Sequence, residues 1–188
     1  MAGVIDIHHH WINEEGYLDR LLVAMDRSGV ERTGLIAMGR VGRELFLSTG
    51  VASGCVSDED VAAAVRRRPD RFFGYGFMRP GHSVRDDVDR AAERGLIGLK
   101  FHLPTHRYDD EVFFPLYDRA QALGLPCLFH TGIFTPPRPM PEEGISSAHC
   151  MPIFLDTIAN RFSDLQIILA HMGICYGEEA GLTHLKSQ

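Results

Sequence analysis

Histidines close several apolar runs in this chain, and imidazoles so placed are natural donors for a metal site. The first run is Val4-Ile5-Asp6-Ile7-His8-His9-His10. Side chains alternate along a β-strand, so Asp6, His8 and His10 are expected on one face and Ile5, Ile7 and His9 on the other. His8 and His10 would then stand about 7 Å apart along the strand, with rings able to converge on one ion. A tag remnant would lie outside an apolar strand, which disfavours that reading. Two more runs, Cys127-Leu128-Phe129-His130-Thr131-Gly132 and Ile168-Leu169-Ala170-His171-Met172-Gly173, end alike: apolar residues, a histidine, one residue, a glycine. One histidine at a strand end is more often a rim residue than a ligand. Histidines at the same end of several strands make a metal cup, because parallel sheets gather ligands at the carboxyl ends of their strands. Neutral imidazoles suit Zn, Fe, Mn or Ni, and an open coordination position prepares a water for attack.

A second constellation is Gly98-Leu99-Lys100-Phe101-His102-Leu103-Pro104, where Lys100 and His102 share a face by the same alternation. A lysine inside a barrel needs a reason. Anchoring a substrate carboxylate comes first, ahead of a metal-bridging carbamate or a stem that snorkels to the rim. Arg138, in the Pro-rich stretch Thr131–Ser147, is placed to meet an anion. Asp109 or Asp110 is expected to cap the helix that follows rather than do chemistry. The Arg66-Arg67-Arg68 run reads as a solvated helix end. His149 is ambiguous, His82 and His184 read as surface residues, and Tyr176 is a possible pocket residue.

The elements that must position these groups are short strands between amphipathic stretches. Strands are expected at Val4–His10, Thr33–Met38, Phe72–Met78, Ile97–His102, Pro126–His130 and Gln166–His171. Helical stretches run over Glu15–Arg27, from Asp58 as cap to Arg68, over Val84–Arg94 closed by Gly95, over Val112–Leu123 ended by Gly124, and over Cys150–Phe162. Such alternation implies a parallel sheet with right-handed crossovers. No linker divides the chain, so one domain over residues 1–188 is expected.

Composition narrows the classes. With 188 residues, 45% hydrophobic and 23% charged, the chain suits a globular α/β enzyme and argues against disorder. A net charge of −6 argues against nucleic-acid binding. Cys55, Cys127, Cys150 and Cys175 form no C-x-x-C pair, so reduced thiols are expected. No apolar run is long enough for a bilayer, and the first residues lack a basic-then-apolar pattern, so no membrane partner and a cytoplasmic location are expected.

In order, Asp6-x-His8-x-His10, Gly98-Leu99-Lys100-Phe101-His102, His130-Thr131-Gly132 and Ala170-His171-Met172-Gly173 resemble the amidohydrolase-related family. This is the group of metal-dependent TIM-barrel enzymes that includes aminocarboxymuconate-semialdehyde and resorcylate decarboxylases. The resemblance implies the TIM (β/α)8-barrel lineage, with about six βα units in this chain and strands seven and eight missing. It implies one divalent metal ion, zinc first, on His8, His10 and His130, with His171 as the catalytic histidine and Asp6 supporting the ligands. Lys100, His102 and Arg138 would then bind a small, anionic substrate. The implied reaction is hydrolysis of an amide, ester or lactone by metal-activated water. The alternatives are non-oxidative decarboxylation of an aromatic or unsaturated acid, and an inactive, truncated barrel fragment. The family's strand-eight aspartate has no counterpart here. Open sheet edges make a homo-oligomer the expected state.

Overall fold

The computed structural model describes residues 3–11, 14–37, 56–133 and 144–171. Over these residues the strands are β1 (Val4–His10), β2 (Val30–Ile36), β3 (Phe72–Met78), β4 (Gly98–Phe101), β5 (Cys127–His130) and β6 (Ile167–Ala170). The described α-helices are α1 (Tyr17–Ser28), α2 (Asp58–Arg67), α3 (Arg85–Glu93), α4 (Phe114–Ala122) and α5 (Phe154–Arg161). The chain packs as two compact units, Met1–Phe77 with Asp89–Leu99, and Met78–Val88 with Lys100–Gln188. Both α3 and β4 are divided between them. Among the described residues, no helix is long and apolar enough to cross a membrane.

In the first unit β1, β2 and β3 pair in parallel and in chain order. The strands grow more buried inward from β1, and β3 (Phe-Phe-Gly-Tyr-Gly-Phe-Met) is almost wholly enclosed. That pattern belongs to a parallel strand covered on both faces. Helix α2 is fixed by a capping box: the Ser57 hydroxyl accepts from the Asp60 N–H at 3.2 Å, and the Asp60 carboxylate accepts from the Ser57 N–H at 2.8 Å. Ser57→Ala is expected to lower stability by about 1 kcal/mol in denaturant titrations. Asp58, expected as the cap, instead accepts the Phe77 N–H at 3.0 Å and ties the start of α2 to the end of β3.

Strand β1 departs from simple alternation. Asp6 pairs with Thr33 and His9 with Leu35, so β1 advances three residues while β2 advances two. This is a β-bulge, and it resets the side-chain phase. The expectation that Asp6 shares a face with His8 and His10, opposite His9, is corrected: the Asp6 carboxylate lies against the His9 ring.

In the second unit β5 and β6 pair in parallel, Cys127 to His130 opposite Ile167 to Ala170. Its core is aromatic. Phe129 is fully buried and stacks on Phe101 at 4.7 Å between centroids, with Tyr108 edge-on at 5.1 Å and Tyr117 at 5.8 Å. Asp110 accepts the Val112 N–H and caps a 3-10 turn, Glu111–Phe113, that leads into α4. Asp109, the other candidate cap, pairs with Arg107 at 2.6 Å. The last helix is shorter than the expected Cys150–Phe162. A 3-10 turn spans Ser147–Cys150, and extended Met151 before Pro152 breaks the run until Phe154.

Candidate functional site

Two sets of the side chains singled out in the sequence come together, one in each unit. In the first, β1 presents His8 and His10 with their Nε2 atoms 3.2 Å apart and rings at 67°. Two imidazole nitrogens bound tetrahedrally to one ion at zinc–nitrogen lengths stand about 3.4 Å apart. The pair therefore fits two corners of a coordination sphere, and the neutral donors suit a borderline divalent cation. His9, between them, turns elsewhere: its Nε2 lies 2.8 Å from the Tyr17 hydroxyl at the start of α1. Its Nδ1 lies 3.7 Å from Asp6 Oδ2, while Asp6 Oδ1 accepts the His8 N–H at 3.0 Å. Burial lowers the His9 pKa against the opposing pull of Asp6.

The second set gathers at the ends of β4, β5 and β6. The His102 and His130 rings stack at 4.0 Å, and His171 meets His130 edge-on at 4.8 Å. His102 and His130 are buried, and His171 takes a left-handed backbone, φ 64°, where β6 ends. Such a conformation on a non-glycine residue stores strain and is enriched at functional positions. Thr131 Oγ1 donates to the Ala170 carbonyl at 2.6 Å and joins the ends of β5 and β6. The Tyr108 hydroxyl lies 3.1 Å from the His130 carbonyl and 3.3 Å from that of Phe101, tying β5 to β4. Tyr117 in turn donates to the Tyr108 carbonyl at 2.9 Å.

Lys100 is the most unusual member. It is fully buried, and among the described residues its amine has no hydrogen-bond partner. The snorkelling alternative therefore fails, because the head does not reach the rim. Burial pushes its pKa down to about 7, with Cys150 pulling weakly the other way. His171 is lowered as well, first by burial and then by the charge of Lys100. Lys100 thus titrates near neutral pH, the range useful for proton transfer, and the shift on His171 favours its neutral imidazole.

Of the residues singled out in the sequence, His8 and His10 come together, as do His102, His130 and His171, with Lys100 beside His171. Arg138, Tyr176 and His184 lie outside the described residues. Among the described residues, no group of three or more His, Cys, Asp or Glu is arranged to hold a metal ion. Three contributors escaped sequence reasoning. Tyr17 and Tyr108 carry no local signature, since each acts through partners seven or more residues away. The part of His9 depends on a bulge that period-two reading does not show.

A family model for amidohydrolases matches residues 5–185. No curated protein matches the chain. Among solved structures, an uncharacterised TIM-barrel protein of Bordetella bronchiseptica superposes with a TM-score of 0.66 at 17% identity, over 98% of this chain and 71% of that one. A 5-carboxyvanillate decarboxylase of Novosphingobium aromaticivorans, with bound manganese and 3-methoxy-4-hydroxy-5-nitrobenzoic acid, gives 0.56 at 24%, over 82% and 49%. A protein of Acinetobacter baumannii assigned as 2-pyrone-4,6-dicarboxylic acid hydrolase, with citric acid bound, gives 0.55 at 12%, over 92% and 59%. The chain thus spans between about half and 71% of the length of these relatives. The fold is that of a TIM barrel, represented by six parallel strands. The family match takes in the whole histidine series from His8 to His171, and the chain belongs to the amidohydrolase family.

Proposed function

We propose that this chain is a metal-dependent enzyme that hydrolyses an amide, ester or lactone bond in a small anionic substrate. The observation that carries the reading is the 3.2 Å approach of His8 Nε2 to His10 Nε2. In this reading His8, His10 and His130 hold one divalent cation, zinc first, and Asp6 supports them. Bound there, the cation supplies Lewis acidity and lowers the pKa of water. His171, held in its neutral form by burial and by Lys100, accepts and returns a proton at an imidazole nitrogen. Lys100 binds the substrate carboxylate. An anion beside it provides the opposite charge that burial withholds and so draws the amine back to its protonated form. His102, stacked on His130, and Arg138 are assigned to the same substrate, Arg138 as a second cation.

Non-oxidative decarboxylation of an aromatic or unsaturated acid is the second reading. It is favoured by the buried Lys100 beside His171, a pair that can keep a proton ready for carbon, and by the decarboxylase among the relatives. The test is a paired panel on metal-loaded protein. Esters, lactones and amides of small dicarboxylic acids are followed by acid release, and hydroxybenzoates by carbon dioxide release. Acid release alone supports hydrolysis, and carbon dioxide release alone replaces it with decarboxylation. Silence on both panels at full metal loading overturns both readings.

A further inference from the structure

We infer that Tyr17, His9 and Asp6 form a positioning relay that sets the metal-binding geometry of His8 and His10. The claim rests on the proposal that these two histidines are metal ligands. The relay comprises two hydrogen bonds and, between them, one electrostatic contact. Tyr17 opens α1 and is itself placed by its N–H to the Glu14 carbonyl at 3.0 Å and by Gly16, left-handed at φ 69°. Its hydroxyl meets His9 Nε2 at 2.8 Å. Asp6 Oδ2, 3.7 Å from His9 Nδ1, is too far for a hydrogen bond but near enough to favour the proton on that nitrogen. Nε2 is then the acceptor, and Tyr17 O–H the donor. The other oxygen of the same carboxylate accepts the His8 N–H at 3.0 Å.

The relay thus begins on a helix and ends on the backbone of the first ligand, and it spans the bulge between Asp6 and His9. The bulge is what separates His9 from its neighbours. With the His9 ring held toward α1, the rings on either side are left to face each other across 3.2 Å. In most metal sites a carboxylate or carbonyl orients a ligand by bonding its second ring nitrogen. Here the orientation is exerted through the main chain and through the histidine between the ligands.

The test measures metal affinity rather than turnover. Zinc and cobalt(II) affinities are obtained by competition with a chromophoric chelator, and the cobalt ligand-field spectrum reports the geometry. Tyr17→Phe keeps the ring and removes one hydroxyl. It is expected to weaken binding about tenfold or more, the usual cost of losing an outer orienting partner, and to shift the cobalt bands. Asp6→Asn and His9→Gln are expected to do the same, and they carry the test should Tyr17→Phe fail to fold. A relay that merely braced the fold would lower the melting temperature of metal-free protein and leave affinity and spectrum unchanged, which overturns the inference. If wild-type protein binds neither metal, or His8→Ala binds as well as wild type, the ligand assignment itself falls. If binding depends on His8 while Tyr17→Phe matches wild type, only the relay falls.

Discussion

His10→Ala is expected to take metal content from near one divalent ion per chain to below about 0.1 after dialysis, because the loss of one donor outweighs the 10–100-fold typical of an outer partner. The reasoning is geometric. The His8 and His10 nitrogens already stand 3.2 Å apart, so a cation entering between them meets two donors without rearrangement of β1. Deleting one leaves a single neutral imidazole from this strand, which is a weak site. The same change should erase metal-dependent stabilisation. At a metal concentration 100 times the Kd, wild-type protein gains about 2.7 kcal/mol, and the variant gains almost nothing. Elemental analysis and thermal scans with and without zinc read both quantities. His106→Ala serves as the control: His106 bonds Thr105 in the loop after β4 and should leave metal content unchanged. A His10→Ala protein with wild-type stoichiometry would place the ligands elsewhere.

Lys100→Met is expected to stabilise the protein while abolishing the activity proposed for it. In the unfolded chain the amine titrates near 10.5, and in the folded protein near 7. A gap of that size corresponds to a penalty of roughly 5 kcal/mol at and below neutral pH, where the unfolded amine is charged and the folded one is not easily so. Between pH 7 and 10.5 the unfolded state binds more protons, so this residue's penalty shrinks as pH rises through that window. Below about pH 7 both states are protonated and the penalty is constant. Methionine fills much the same volume without a charge. The difference in unfolding free energy between variant and wild type should thus be a few kcal/mol at pH 7 and fall toward pH 10.5. Taking the difference cancels the tyrosines and Cys127, whose buried hydroxyls and thiol are pushed up in both proteins. His171, relieved of the neighbouring charge, should titrate higher in the variant by NMR. A pH-independent difference would mean that the amine is charged and satisfied in the folded state. Retention of a destabilising buried lysine is what a substrate-binding role would predict.

Much of this was legible in the chain itself. Hydrophobic period and glycine punctuation located the strands, because buried parallel strands read as apolar runs and left-handed caps demand glycine, as at Gly95 (φ 80°) and Gly124 (φ 64°). The histidines at strand ends were visible for the same reason. What escaped depends on pairing rather than composition. The β1 bulge is a property of two strands in register, so Asp6 and His9 were assigned to opposite faces. Asp58 looked like a cap because its type and place suit one, but Ser57 one residue earlier suits it better, and the freed carboxylate reaches Phe77. Nothing in the sequence around Tyr108 marks it, because its hydroxyl acts on the His130 carbonyl, distant in the chain.

The division of the chain into two units has a consequence for the order in which it can fold. The first unit is not complete at Phe77, because it also needs Asp89–Leu99, and the segment between them, Met78–Val88, belongs to the second. During synthesis, domains generally fold as units from the N-terminus. Here the early unit must wait for a piece that follows part of the late one, with α3 and β4 each begun in one unit and finished in the other. No single cut releases either unit as a continuous segment. His8 and His10 thus leave the ribosome well before their unit closes, which happens only once the chain has reached Leu99, next to Lys100.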